Sequence, residues 1–159
     1  MKKTLPIILL TLASLAMSCD TGKIFHERKT LSPEMTWDKD SVLSYNVDIK
    51  DVQPSYDIEI DLRTVDFYQY SNMWLFITTA SPSGARQADT VEYRLRDDKG
   101  FSNGNRMAFG EVEDYEFPFK QNVKFPEPGV YTFSIRHGMR TEVLPFVNEV
   151  GLAVRKHAE

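Results

Sequence analysis

The sequence predicts an all-β protein, an antiparallel two-sheet β-sandwich of about seven or eight strands. Three observations favour this fold class. Apolar and polar residues alternate along many short segments, turn residues separate these segments, and no segment after residue 18 has the period of an amphipathic helix. The alternation does not distinguish a jelly-roll connection of the strands from an immunoglobulin-like one, so both remain open.

The first two alternating segments are residues 42–50 and 56–63. Each has an apolar side chain at every second position and polar side chains between them, which is typical of an antiparallel strand with one solvated face. The residues expected to face the core are Leu43, Tyr45, Val47, Ile49, Tyr56, Ile58, Ile60 and Leu62. The intervening acids Asp57, Glu59 and Asp61 are accordingly expected in solvent.

Four later segments show the same alternation. Their expected core residues are Val91, Tyr93, Leu95, Tyr115, Phe117, Phe119, Tyr131, Phe133, Ile135, Val150, Leu152 and Val154. Pro118 lies inside one of these segments and has no backbone N–H to donate, so we expect it at a sheet edge or a bulge. Turn residues at 82–84, 97–100 and 126–129 separate the strands.

Tyr131 follows a proline–glycine turn in "FPEPGVYTFSI". This arrangement resembles the tyrosine corner of Greek-key sandwiches, in which the tyrosine hydroxyl binds backbone a few residues upstream. We therefore expect Tyr131 to have a structural role.

The segment "NMWLFITT" is apolar at both parities, with Met73, Leu75 and Ile77 on one side and Trp74 and Phe76 on the other. Such a strand is expected at the centre of a sheet with both faces covered. Trp74 is therefore expected to be a buried structural residue.

The residues just before this strand have the composition of a loop and include two tyrosines. A loop at the end of a sandwich with exposed tyrosines can stack on a sugar or grip a partner protein. The candidate contact residues are Asp66, Tyr68, Tyr70 and Asn72. The same tyrosines can instead close the open end of the sandwich, and the sequence leaves both interpretations open.

Residues 1–18 have the pattern of a signal peptide: a cationic start, an apolar stretch and small residues before Cys19. Cys19 is the single cysteine, and the small residues before it resemble the lipobox of bacterial lipoproteins, which predicts lipidation at Cys19. A secreted protein with a free thiol is the alternative. Residues 19–36 are expected to be the lipidated cysteine and a tether or possible edge strand, and residues 37–159 a single β-sandwich domain.

The formal charge of the chain is −4, and removal of Lys2 and Lys3 with the signal peptide leaves 17 basic against 23 acidic residues, a charge of −6. A net negative surface repels nucleic acid and anionic lipid headgroups. Nucleic acid is therefore not an expected partner, whereas a lipid anchor at Cys19 would attach the protein to a membrane without a transmembrane helix.

Residues suited to catalysis or metal binding are sparse. The three histidines, His26, His137 and His157, lie in no nucleophile motif, and His157 is expected to fray at the terminus. The oxygen-rich pairs and groups that calcium prefers are Asp38 with Asp40, and Asp97 with Asp98, Asn103 and Asn105, but neither has the spacing of an EF-hand. We therefore expect no enzyme activity, no bound metal and no cofactor.

Four phrases in this order after a lipobox resemble the GldH family of gliding-motility lipoproteins of Bacteroidetes. The phrases are "DLRTVDFYQYSNMWLFITTASPSG", "DTVEYRLRDDKG", "NVKFPEPGVYTFSIRHGMR" and "VGLAVRK". The resemblance covers residues 37–156. The segment after "DDKG" tends to be glycine-rich in the family and here has only Gly100, Gly104 and Gly110.

The resemblance implies a lipid-anchored envelope protein required for gliding, a non-enzymatic component that works alongside the type IX secretion machinery and other envelope proteins. "DTGK" after Cys19 lacks the acidic run that resembles a surface-export signal, which favours the outer membrane with the domain facing the periplasm. The alternative is a carbohydrate-binding module in which Tyr68, Tyr70, Phe101 and Phe109 form an aromatic platform.

Overall fold

The computed structural model describes residues 22–106 and 111–158, which contain eleven β-strands and no helix. The strands are β1 (Lys23–Thr30), β2 (Thr36–Asp38), β3 (Leu43–Ile49), β4 (Tyr56–Val65), β5 (Asn72–Ala80), β6 (Arg86–Arg94), β7 (Asn105–Arg106), β8 (Val112–Val123), β9 (Gly129–His137), β10 (Val143–Pro145) and β11 (Val147–Lys156). Within these residues there is no helical segment with the length and apolarity that crossing a membrane requires. The signal peptide and Cys19 lie outside the described residues.

Two antiparallel sheets form the sandwich. The five-stranded sheet has the order β1-β11-β4-β8-β7 and the four-stranded sheet the order β3-β9-β5-β6, while β10 and β2 pair separately. The eight long strands thus place the first and last strands side by side and return repeatedly from one sheet to the other. This is the jelly-roll arrangement of two Greek keys, so the structure selects jelly-roll over immunoglobulin-like connectivity.

The predicted alternation is confirmed in the core. Tyr45, Val47, Ile60, Leu75 and Phe133 are fully buried between the sheets, and most other residues assigned to the core from the sequence are buried around them. Because successive side chains of a strand point to opposite faces, each strand contributes every second residue to this interior.

Two special backbone positions also agree with their predicted chemistry. The β4–β8 register shifts next to the Glu59–Pro118 pair, and β7 pairs with β8 only at residues 113 and 114, so Pro118 lies both at a bulge and on a free edge. The Tyr131 hydroxyl donates to the Glu127 carbonyl at 2.9 Å, which is the contact expected of a tyrosine corner.

The first described strand, β1, is an edge strand of the five-stranded sheet and pairs with β11 along its length. Gly22 therefore lies beside Lys156 at one end of the sandwich. We call this the Gly22 end; it also contains the loops at 50–55, 81–85 and 124–128. The opposite, Gly138 end contains the connections at 31–42, 66–71, 95–104 and 138–146.

Candidate interaction surface

The outer face of the four-stranded sheet carries two exposed aromatic side chains on its central strand β5. Met73, Leu75 and Ile77 are fully buried as predicted, but Trp74 is 37% and Phe76 38% exposed. The prediction that Trp74 is buried was wrong, because the segment that packs beside it, the β9–β10 connection, leaves part of the ring exposed. Large aromatic residues are normally well buried, so their exposure at the centre of a sheet makes this face a candidate interaction surface.

The connection between β9 and β10 lies directly against these aromatics. The Gly138 N–H donates to the Trp74 carbonyl at 2.7 Å, and the Trp74 N–H lies 3.4 Å from the Met139 sulfur. A Cβ at position 138 would be 3.0 Å from the Phe76 ring. The absence of a side chain at Gly138 therefore allows the connection to approach both aromatic residues closely.

Beside Trp74 this connection leaves an open groove of about 500 Å³. Its lining residues are Tyr70, Asn72, Trp74, Gly138, Met139 and Arg140. The groove combines two aromatic rings, a flexible thioether and a guanidinium. Aromatic residues, Met and Arg are the types enriched in protein–protein interfaces, where Trp, Tyr and Arg supply most hot spots.

Two arginines flank the exposed aromatics without an acidic partner. The Arg136 guanidinium lies 5.1 Å from the centre of the Phe76 ring, a cation–π distance. Among residues 22–106 and 111–158, neither Arg136 nor Arg140 forms an ion pair with a carboxylate. We call Tyr70, Trp74, Phe76, Arg136, Met139 and Arg140 the aromatic–arginine surface.

The outer face of the five-stranded sheet is different, because its charges neutralise one another. The prediction that Asp57 and Asp61 are solvated was wrong: they are 8% and 2% exposed. Asp61 lies 2.6 Å from His26 Nε2 and accepts a hydrogen bond from Arg28 Nε at 3.2 Å. These partners come from a neighbouring part of the sheet that is distant in sequence.

Asp57 and Asp114 are held ionised by similar contacts. Burial opposes ionisation of Asp57, but the Asn122 N–H and the His157 ring outweigh it and lower the pKa of Asp57. The Arg63 guanidinium, assisted by Arg28 and opposed by burial, lowers the pKa of Asp114. His157 was predicted to fray, but its ring Nδ1 lies 2.8 Å from Asp57 and its backbone N–H donates to the Ser55 carbonyl.

The predicted contact loop is only partly a surface. Tyr68 is 4% exposed and its hydroxyl donates to the Asn72 carbonyl at 3.0 Å, so Tyr68 closes the end of the sandwich. Tyr70 packs edge-on against Tyr68 and reaches the groove, where Asn72 donates to Glu92. Asp66 lies 3.7 Å from Arg106, away from the groove.

The predicted aromatic platform is therefore not assembled. Tyr68 is interior, Phe101 is 68% exposed and borders a different depression with Arg96 and Arg106, and Phe109 lies outside the described residues. Sequence reasoning missed Trp74 and Phe76 as surface residues. Both faces of β5 are apolar in the sequence. This pattern indicates that other residues pack on both faces, but it does not show whether those residues belong to this chain.

The oxygen-rich segments considered for calcium form turns. One Asp38 oxygen accepts from the Asp40 N–H, one Asp97 oxygen accepts from the N–H groups of Lys99 and Phe101, and Asp98 pairs with Arg94. In the described part of the chain, no group of three or more His, Cys, Asp or Glu side chains is placed to hold a metal ion.

His137 is the most buried histidine, at 2% exposure, and packs edge-on against Trp37 with ring centres 5.4 Å apart. Burial lowers its pKa from the ordinary 6.5 and favours the neutral ring. The position of His137 inside the sandwich gives it a packing role.

These features define a small jelly-roll β-sandwich with an internally neutralised face on one sheet and an exposed aromatic and arginine surface on the other. A family model described as GldH lipoprotein matches residues 23–154. The chain belongs to this GldH lipoprotein family.

Two relatives and two solved structures illustrate the similarity. The gliding motility lipoprotein GldH of Flavobacterium johnsoniae is 30% identical over 156 residues, which cover 94% of each chain. The gliding motility lipoprotein GldH homolog of Christiangramia forsetii is 32% identical over 146 residues, 87% of each chain.

Among solved structures, a family GH115 4-O-methyl-alpha-glucuronidase matches with a TM-score of 0.49 and 7% identity, over 86% of this chain and 18% of that one. A non-crystalline cellulose specific carbohydrate-binding module, CBM28, matches with a TM-score of 0.44 and 11% identity, over 84% of this chain and 75% of that one. Likenesses of this size support no functional conclusion.

Proposed function

We propose that this protein is a lipid-anchored, non-enzymatic component of the cell envelope that serves gliding motility by holding other envelope proteins in an assembly. Membership of the GldH lipoprotein family and the names of both relatives support the gliding role. The assembly belongs to the gliding and type IX secretion machinery. The domain sits on the outer membrane and faces the periplasm.

Lipidation of Cys19 would bring the Gly22 end of the sandwich close to the bilayer. Strand β1 begins at Lys23, four residues after Cys19, and four extended residues span at most about 14 Å. The aromatic–arginine surface lies near the Gly138 end, since Trp74 is close to the start of β5. In this arrangement the surface is turned away from the membrane and is accessible to a protein.

The observation that carries the assembly role is the exposure of Trp74 and Phe76 on a central strand. Burial of such rings by a partner removes a large apolar area from water. Each Å² of this area contributes about 25 cal/mol of favourable free energy. Arg136 and Arg140 have no carboxylate partner in the part of the chain that the structure describes, which favours a partner with carboxylates beside an apolar contact. Two copies of this surface meeting face to face would instead bring arginines together.

Lipidation is tested by growing the source cells with radiolabelled palmitate and purifying the protein. We expect label in the wild-type chain and none in a Cys19→Ala variant. The variant protein should also be bound less firmly to the membrane fraction. An unlabelled wild-type protein would contradict the anchor.

The protein-binding role is tested by placing a photo-crosslinking amino acid at position 74 and, as a control, at Asp48, an exposed position on the same sheet. We expect position 74 to crosslink to a defined envelope protein through a peptide that contains Asp or Glu, and the Arg136→Glu, Arg140→Glu double variant to lose this product. Equal products at both positions, or adducts with glycan alone, would reject the proposed role.

A further inference from the structure

The Gly22 end contains an apolar cleft that opens between the two sheets. Its floor is formed by Ile58, Phe125, Tyr131 and Phe133, which are all buried between the sheets. The β5–β6 hairpin forms one wall and the segment from β8 to β9 forms the other. Its volume is about 390 Å³, within the range of small-molecule sites, which are mostly apolar with a few polar groups.

Three cationic side chains stand at the rim of this cleft: Arg86, Lys120 and Lys124. Lys120 pairs with Asp89 at 2.9 Å. Within residues 22–106 and 111–158, Arg86 and Lys124 form no ion pair with a carboxylate. An apolar floor under a partly unpaired cationic rim suits a ligand with a hydrocarbon part and an anionic head.

Basic residues are also concentrated at the end of the domain that contains this cleft. Among residues 22–106 and 111–158, the loops and strand ends at the Gly22 end contain five basic residues against two acidic ones, namely Lys23, Lys50, Arg86, Lys124 and Lys156 against Asp51 and Glu127. At the Gly138 end eight acidic residues outnumber six basic ones, the acids being Glu34, Asp38, Asp40, Asp66, Asp97, Asp98, Glu111 and Glu142. The negative net charge of the chain therefore conceals a basic end.

The cleft and the proposed anchor also lie at the same end of the sandwich. Gly22 leads into β1 at one edge, and the cleft opens beyond β8, three strand spacings or about 14 Å across the sheet. A lipid anchor at Cys19 would therefore bring the cleft to the bilayer surface. Because the acyl chains of the anchor have no anionic head, the cationic rim favours a phospholipid other than the anchor itself as the occupant.

We propose that this cleft binds an anionic phospholipid of the bilayer, with an acyl chain on the Ile58–Phe125–Phe133 floor and the phosphate between Arg86 and Lys124. The inference rests on the proposed anchor, which places the cleft at the membrane. Together the two attachments would fix the orientation of the domain and hold the aromatic–arginine surface outward.

The test uses the full lipidated chain in nanodiscs of phosphatidylcholine containing phosphatidylglycerol with a photoactivatable group in its acyl chain. After irradiation, mass spectrometry locates the adducts. We expect them in the peptides that contain Ile58, Phe125 or Phe133. An equivalent phosphatidylcholine probe should reduce the number of adducts by about tenfold or more. The N-terminal peptide in the same spectra reports acylation of Cys19, which separates a failed anchor from a failed cleft.

Two variants separate the cleft from general attraction to the membrane. Ala85→Trp fills the cleft without changing charge, and its control Ala88→Trp lies on the same hairpin outside the lining. Arg86→Glu with Lys124→Glu reverses the rim, and its control reverses Lys39 and Lys99 at the Gly138 end. We expect both cleft variants to lose the adducts and both controls to retain them. Adducts that survive Ala85→Trp, or that are spread over the whole domain, would overturn the proposal.

Discussion

Arg28 reaches Asp61 across the backbone of the intervening strand, and a glycine makes this contact possible. Arg28 on β1 is in register with Gly151 on β11, which is in register with Asp61 on β4. The Arg28 side chain passes over Gly151, donates from Nε to Asp61 at 3.2 Å and continues to Asp114 at 2.9 Å. Three strands of one sheet, β1, β4 and β8, are thereby joined by side chains on its outer face, across the backbone of β11.

The first prediction concerns the glycine under this arginine. In Gly151→Ala, the new Cβ would lie 2.7 Å from Arg28 Cγ and 3.0 Å from both Asp61 Cβ and the Glu27 carbonyl. We expect a loss of about 1–3 kcal/mol in the free energy of unfolding, because the strand cannot move without disturbing two neighbours. Denaturant titration of the wild type and the variant measures this loss in the free energy of unfolding. In an Arg28→Ala background the same substitution should cost less, and an unchanged cost would contradict the crossing.

The second prediction concerns the ion pairs of Asp114, which accepts two hydrogen bonds from Arg63 and one from Arg28. The pKa of Asp114 is lowered in the folded protein, so its contribution to stability is complete above the ordinary carboxyl pKa and is lost as pH falls below about 4. We expect Asp114→Asn to cost about 1.5–3 kcal/mol at neutral pH and to reduce this acid-dependent loss.

The matched control is Asp98→Asn, because Asp98 also pairs with an arginine but its side chain is 91% exposed. Exposed ion pairs contribute little, so this change should be nearly neutral. Denaturant titrations between pH 7 and pH 3 compare both variants with the wild type. Equal losses for the two variants would refute a special role of Asp114.

The third prediction is a pH dependence near neutrality from His137. Burial lowers the pKa of His137, so between the ordinary value of 6.5 and the folded value the unfolded chain binds more protons. Stability from the neutral ring is therefore present above pH 6.5 and decreases as pH falls below it. We expect His137→Leu to flatten the stability curve in this window, measured by thermal unfolding. A slope identical to that of the wild type would show that another group titrates there.

The alternation of apolar residues made the strands and core predictable, because each strand has one face in the interior and side-chain direction has a period of two. Pro118 and Tyr131 were predictable for a related reason, since a missing N–H and a turn followed by a tyrosine act locally. The jelly-roll order was not predictable. It depends on which strands pair across long stretches of chain.

The errors in predicting the sites have a common physical origin in partners that are distant in sequence. Asp61 is buried because His26 and Arg28 on β1 reach it across β11, and alternation alone marks it as solvated. Trp74 is exposed although it lies in an apolar strand, because the β9–β10 connection that packs beside it leaves part of the ring exposed. An apolar pattern on both faces of a strand indicates that both faces are covered, but it does not identify the residues that cover them.

The fourth prediction tests the tyrosine corner. Removal of the Tyr131 hydroxyl in Tyr131→Phe would leave the Glu127 carbonyl without its 2.9 Å donor. We expect a loss of about 1 kcal/mol in the free energy of unfolding. Tyr70→Phe is the control, because no hydrogen bond from the Tyr70 hydroxyl occurs among the described residues. An unchanged melting temperature for Tyr131→Phe would argue against the corner.

The fifth prediction separates binding from folding on strand β5, where neighbouring residues point to opposite faces. Leu75 is fully buried, so Leu75→Ala should cost about 2–5 kcal/mol. Trp74 is 37% exposed and lies on the outer face of the sheet beside the β9–β10 connection, so Trp74→Ala should cost less than Leu75→Ala. Thermal unfolding of the two variants measures this difference. If Trp74→Ala unfolds the domain as readily as Leu75→Ala does, its ring is part of the core. A stable Trp74→Ala protein that forms no complexes in the envelope would instead assign the exposed ring to recognition.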